Sequence, residues 1–250
     1  MLIFERRIKR GMTSTSALVQ PPPPHRPQLV RSVNLSGPAG RLEATLNEGS
    51  HEAPFSGLVC HPHPRGGGTM HNKVVYHAMK TLNAPEWGLC WPVLRFNFRG
   101  TGLSQGTHDG SAEYGDVLAA IHWLVNAYSR PVVVAGFSFG AAMAVNACCG
   151  QGSEDSNGRA SVHALALIGL PTRSEAQDYS YPSLSSCTIP KLFLSGDRDQ
   201  YAPAAEWRQV AASGAEPKRA VAISGADHFF QGQLEKMQQA LAGWLKEQLP

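Results

Sequence analysis

From about residue 32 the chain alternates short apolar runs, rich in Val, Leu and Phe, with longer stretches whose apolar positions recur at helical spacing. Short apolar runs bounded by Gly, Pro, Asn or Asp predict strands, and the longer periodic stretches predict helices. Strands are expected near Ser32–Leu35, Arg41–Leu46, Ser56–Cys60, Val93–Phe98, Pro131–Phe137, Ala164–Ile168, Lys191–Leu194 and Ala220–Ile223. Gly37-Pro38 separates the first two, which predicts a hairpin and one antiparallel edge. Beyond it strand and helix alternate, the pattern of a mostly parallel eight-stranded sheet covered by helices. The last helix, Gln231–Leu249, sets Leu234, Met237, Leu241, Trp244 and Leu245 on one stripe facing the sheet. Gly150–Gly158, dense in Gly, Ser, Asn and Asp, reads as a surface loop.

Composition narrows the class. The 250 residues are 42% hydrophobic and 16% charged, enough to bury a sizeable core. The net charge of +3 comes from one end: residues 1–31 carry six basic side chains against one acidic, and the remainder 16 against 18. A body that grips nucleic acid clusters Lys and Arg on the fold itself, so that class of partner is excluded. Residues 1–31, with Pro21-Pro22-Pro23-Pro24, read as a disordered basic tail, and residues 32–250 as one domain. An Arg-containing, acid-poor tail also fits a mitochondrial transit segment, which is the alternative. No apolar run approaches the roughly 20 residues that span a bilayer, and the N-terminus has no secretory apolar stretch. Five cysteines at irregular spacing suggest no disulfide framework. The expectation is a cytoplasmic protein with no membrane partner.

The candidate chemistry begins at Gly136-Phe137-Ser138-Phe139-Gly140, between the strand Pro131–Ala135 and the small-residue stretch Ala141-Ala142-Met143-Ala144. A serine on a sharp strand-to-helix turn sits in strained backbone, and its neighbours two positions away must lack side chains because strand and helix nearly touch. A helix opening at Phe139 directs free amides toward that serine, where an oxyanion would form. A serine hydroxyl needs a base, most often histidine, and a carboxylate to fix the imidazole. Ser195-Gly196-Asp197-Arg198-Asp199 and Gly225-Ala226-Asp227-His228 each follow a strand, at the edge where open α/β sheets build their sites. His228 is selected from ten histidines by that position; spacing alone leaves Asp197 and Asp199 both open.

With His61-Pro62-His63-Pro64 and Gly66-Gly67-Gly68 after the third strand, and Asn97-Phe98-Arg99-Gly100-Thr101-Gly102-Leu103-Ser104 after the fourth, these segments resemble the α/β-hydrolase superfamily. The likeness is to its small lidless esterase and dienelactone-hydrolase-like members. It covers about residues 32–250 and implies an α/β-hydrolase fold with helices on both faces. It also implies Asp199 as the acid, because in that superfamily the carboxylate usually stands three residues after the strand-end glycine. The implied oxyanion donors are the amides of Phe139 and His63, since Pro62 occupies the usual glycine position and has no amide. Arg99 and its glycines are expected to shape the loop rather than react. The implied activity is hydrolysis of carboxylic esters or thioesters, small or accessible, without cofactor or metal.

Three other readings compete. His61-x-His63 with His71 and His77 suggests zinc, but the spacing shares no helix face and no carboxylate completes a familiar set. Gly100-x-Gly102 suggests a dinucleotide, yet the helix opens near Ser111, too late to aim its terminus at a pyrophosphate. A non-catalytic binding protein, or an acyltransferase with the same three residues, would share the fold. Only Gly169–Pro190 separates the sixth strand from the seventh, which leaves little room for a helical cap and predicts an open site. Phe137, Phe139, Tyr181, Tyr201, Phe229 and Phe230 are candidates to line an acyl pocket.

Overall fold

All eight expected strands form and join one sheet in the order β1-β2-β4-β3-β5-β6-β7-β8. The computed structural model describes residues 29–150, 161–173 and 179–249. The expected tail up to residue 28 and the expected loop over 151–158 lie outside the described residues. β1 (Val30–Gly37) and β2 (Gly40–Asn47) form the hairpin, with Val30 opposite Asn47 and Gly37 opposite Gly40. β2 also runs antiparallel to β4 (Val93–Phe96), whereas β3 (Ser56–Cys60), β5 (Val132–Phe137), β6 (Val162–Ile168), β7 (Lys191–Gly196) and β8 (Lys218–Ile223) are parallel to their neighbours. The antiparallel strand is therefore β2, second from the edge. β1 begins two residues before the expected Ser32 and takes in Val30 and Arg31.

β3, β4, β5 and β7 are buried along their whole length because both faces of the sheet are covered. Along β5, Val132 and Val134 point into one core while Val133, Ala135 and Phe137 point into the other, the period-two alternation of a strand. The first core packs under α2 (Tyr114–Tyr128), α3 (Phe139–Cys149) and α4 (Ala204–Ser213); the second packs under α1 (Lys73–Asn83) and α5 (Leu234–Gln248). On α5 the expected stripe holds for Met237, Leu241, Trp244 and Leu245, which are buried, and Leu234 packs at its rim. α1 meets α5 through a polar contact inside this layer: Gln238 donates to the His77 carbonyl (3.2 Å) and its Oε1 lies 2.8 Å from His77 Nδ1. Cys149, at the end of α3, is joined by a disulfide to Cys187 in the approach to β7, a pairing the irregular spacing did not suggest.

Candidate functional site

The turn between β5 and α3 places Ser138. Ser138 has φ 54° and ψ −121°, a conformation rarely adopted by residues with a side chain and held here by its surroundings. Its amide donates to the Ile168 carbonyl at the end of β6 (2.9 Å), and its own carbonyl accepts the first two bonds of α3, from Ala141 and Ala142. The flanking glycines have distinct neighbours. A Cβ on Gly136 would lie 2.5 Å from Ala141 Cα, the strand-to-helix contact expected of this turn. A Cβ on Gly140 would lie 2.5 Å from the Cys60 carbonyl oxygen, so the second glycine instead lets α3 touch the end of β3. The small residues Ala141, Ala142 and Ala144 continue that close approach and are all buried.

Two loops at the same sheet edge complete a chain of contacts. His228 Nε2 lies 2.9 Å from Ser138 Oγ, and His228 Nδ1 lies 2.7 Å from Asp199 Oδ2. Asp199 is held on its other side: Oδ1 accepts the amides of Tyr201 (2.9 Å) and Ala202 (3.0 Å), while the Ser195 hydroxyl donates to Oδ2 (3.2 Å). Asp197 points elsewhere, its Oδ1 accepting the Gly225 amide at 2.7 Å. Gly196 is what brings the two loops together, because a Cβ there would lie 2.1 Å from the Ala226 carbonyl oxygen. Asp199 and His228 are both buried, and Ser138 is half-buried.

The His-Pro-His-Pro segment divides its histidines between two tasks. His61 is fully buried: Nδ1 lies 2.6 Å from the Pro62 carbonyl and Nε2 accepts the Phe98 amide at 3.0 Å. Both ring nitrogens are committed, so His61 has none left for a metal. Burial lowers its pKa to about 4. His63 caps the short 3-10 turn Pro64–Gly66, its Nδ1 accepting the Arg65 amide at 3.1 Å, and its ring stands edge-on to Phe139 at 4.9 Å. The residues expected to supply oxyanion amides are thus neighbours across the nucleophile turn. Arg99 shapes its loop through a buried ion pair, donating to Asp116 at 2.7 Å.

Residues 63–246 match the profile of the alpha/beta hydrolase domain. The chain belongs to the α/β-hydrolase family. An uncharacterized protein of Rickettsia prowazekii is 34% identical over 222 residues, 85% of this chain and 87% of that one. Among solved structures, an alpha-beta serine hydrolase homologue from Coxiella burnetii is 33% identical with a TM-score of 0.74, covering 86% of this chain and 97% of that one. A serine hydrolase without lid from Xanthomonas campestris is 26% identical with a TM-score of 0.72, covering 91% and 98%. Among the described residues of this α/β-hydrolase between β6 and β7, the only helical turn is Pro182–Ser185.

The six candidate lining aromatics separate into three groups. Phe137, Tyr201 and Phe229 surround the His228 imidazole with ring centroids at 4.9, 4.8 and 5.2 Å. Phe229 is 48% exposed and stands edge-on to the His228 ring. Phe139 and Phe230 are core residues, a reminder that an aromatic beside a motif is more often packing than lining. Tyr181 donates to the Pro171 carbonyl and borders a cavity of about 350 Å³ shared with Tyr179, Thr172 and Glu206. Thr172, on the cavity lining, donates its amide to the Tyr201 carbonyl.

Proposed function

We propose that this protein is a serine hydrolase that cleaves carboxylic esters or thioesters of small or accessible substrates through an acyl-enzyme on Ser138. The observation that carries the reading is the continuous contact from Ser138 Oγ through the His228 ring to Asp199. In this mechanism Ser138 Oγ attacks the acyl carbonyl as His228 Nε2 accepts its proton. Asp199 keeps the opposite nitrogen protonated and stabilises the imidazolium. The carbonyl oxygen becomes an anion between the Phe139 and His63 amides, where fixed donors cost no reorganisation at the moment of reaction. His228 then returns the proton to the departing alkoxide or thiolate, and water, activated by the same ring, releases the acid. The absence of a cap fold among the described residues favours substrates whose acyl bond is reachable from solvent.

A fluorophosphonate probe tests the claim. The wild-type protein is expected to be labelled and to hydrolyse p-nitrophenyl acetate. Ser138→Ala and His228→Ala should each lower kcat by about 10⁶-fold, since residues acting as one unit lose nearly everything together. Ser138→Ala should also abolish labelling with the melting temperature preserved. Hydrolysis that survives Ser138→Ala would overturn the reading. Transfer of the acyl group to an acceptor other than water would use the same intermediate, and product analysis with added alcohols separates the two outcomes.

A further inference from the structure

A second imidazole–carboxylate pair lies close to the proposed oxyanion donors and takes no part in the proton transfers. In the loop between β4 and α2, His108 Nδ1 lies 2.5 Å from Glu113 Oε1, with 9% and 0% of the two side chains exposed. Glu113 also accepts the amides of Asp109 (2.9 Å) and Gly110 (3.1 Å), so it organises the turn that carries His108. An imidazole nitrogen this close to a carboxylate oxygen is attracted to it only when that nitrogen bears a proton. The contact is one of proximity without the alignment of a hydrogen bond.

The ring of His108 meets the rings of the two residues proposed to supply the oxyanion amides. It stands edge-on to His63 at 4.8 Å and to Phe139 at 5.5 Å, and those two rings meet each other at 4.9 Å. Three rings therefore form a closed edge-to-face triangle, the arrangement favoured by aromatic quadrupoles. Only one corner is anchored to a buried charge. The loop behind it is braced by Arg99, which pairs with Asp116 at 2.7 Å and reaches Asp109 at 4.0 Å. An apolar pair would fill this space without the desolvation that a buried carboxylate demands, so packing alone does not account for Glu113. The His63 loop has little freedom to compensate for error, because Pro62 offers no amide on one side and Pro64 none on the other.

We propose that His108, held by Glu113, is a positioning residue that sets the His63 amide against the Phe139 amide and so fixes the geometry of the oxyanion site. The inference rests on the acyl-enzyme reading above. His108→Phe keeps a ring of similar size and removes the contact with Glu113; Glu113→Gln keeps the shape and removes the charge. In the full chain, each is expected to lower kcat for p-nitrophenyl acetate by about 10–100-fold, the range for small displacements of a catalytic donor. KM should stay within about twofold, because the interaction lost is made in the transition state. Binding of a trifluoromethyl ketone, which mimics the tetrahedral adduct, should weaken by the same factor as kcat. The double variant should be no slower than either single one, since both changes disable one unit.

Unchanged kcat in both folded variants would overturn the proposal. So would a loss of kcat that tracks the melting temperature while ketone affinity stays at the wild-type value, which is the signature of a purely structural pair. Fluorophosphonate labelling of the wild type separates the two levels. A wild type that resists the probe removes the acyl-enzyme and this inference with it, whereas a labelled wild type with indifferent variants removes the inference alone.

Discussion

Two aspartates two positions apart meet quite different surroundings, and the difference decides what each can do. Asp199 has one oxygen tied to two backbone amides and the other shared by His228 and Ser195, so its orientation is set before substrate arrives. Asp197 spends its carboxylate on a loop amide. Asp199→Asn is therefore expected to lower kcat by about 10⁴-fold with little loss of stability, because an amide in that position favours the wrong imidazole tautomer. Asp197→Asn should change kcat by no more than about threefold, since it touches neither His228 nor Ser138. Steady-state kinetics of the two variants checks the ranking, and the reverse order would move the proposed acid. The choice between them came from resemblance; neither spacing nor charge could reveal the Ser195 hydroxyl or the Tyr201 and Ala202 amides. Those contacts depend on how the strand end curls, which a local reading does not contain.

At the scale of elements, the strands were legible because each buried strand is a short run of Val, Leu, Ile and Ala between turn residues. Their boundaries shifted where pairing decides: β1 is lengthened by its ladder with β2, and β4 stops at Phe96 before the turn that carries Arg99. What links the ends of β3 and β4 was less visible, since a histidine beside a glycine-rich loop invites a chemical role. His61 is instead a cross-brace, committed to Pro62 and Phe98. It must stay neutral to accept the Phe98 amide, and burial holds its pKa at about 4. Above about pH 6.5 the folded and unfolded chains both carry it neutral and its contribution is complete. Between about pH 6.5 and 4 the unfolded chain binds a proton that the fold refuses, so stability falls as pH falls, by up to about 3 kcal/mol. Below about pH 4 both states are protonated and this loss levels off. Urea denaturation at pH 7 and pH 4.5 should show the drop, and a His61→Asn variant should lose that share of the pH dependence. A wild-type midpoint equal at both pH values would count against it.

Across the whole molecule, the Cys149–Cys187 disulfide ties the far end of α3 to the approach of β7, closing 38 residues of sequence separation. An odd cysteine count gave no sign of it, because the pairing is made by the fold and not by spacing. Chain entropy puts the constraint at about 4 kcal/mol for a loop of this length. Reductant is expected to lower the denaturation midpoint of the wild type and to leave Cys149→Ser unaffected. Titration of the denatured, non-reduced protein should find three thiols, those of Cys60, Cys90 and Cys148, which lie outside the disulfide; five would show that the pair does not form. Another whole-molecule feature lies at the opposite edge. At Gly140 the helix that follows Ser138 meets the end of β3, and at Gly196 the loops that carry Asp199 and His228 meet each other, in both places main chain to main chain with no side chain between. The reacting atoms are thereby insulated from drift in the loops around them. Under the proposed mechanism, selectivity can be rewritten at Phe229 or Tyr201 while the chemistry keeps its coordinates, a division of labour between an inheritable frame and an interchangeable rim.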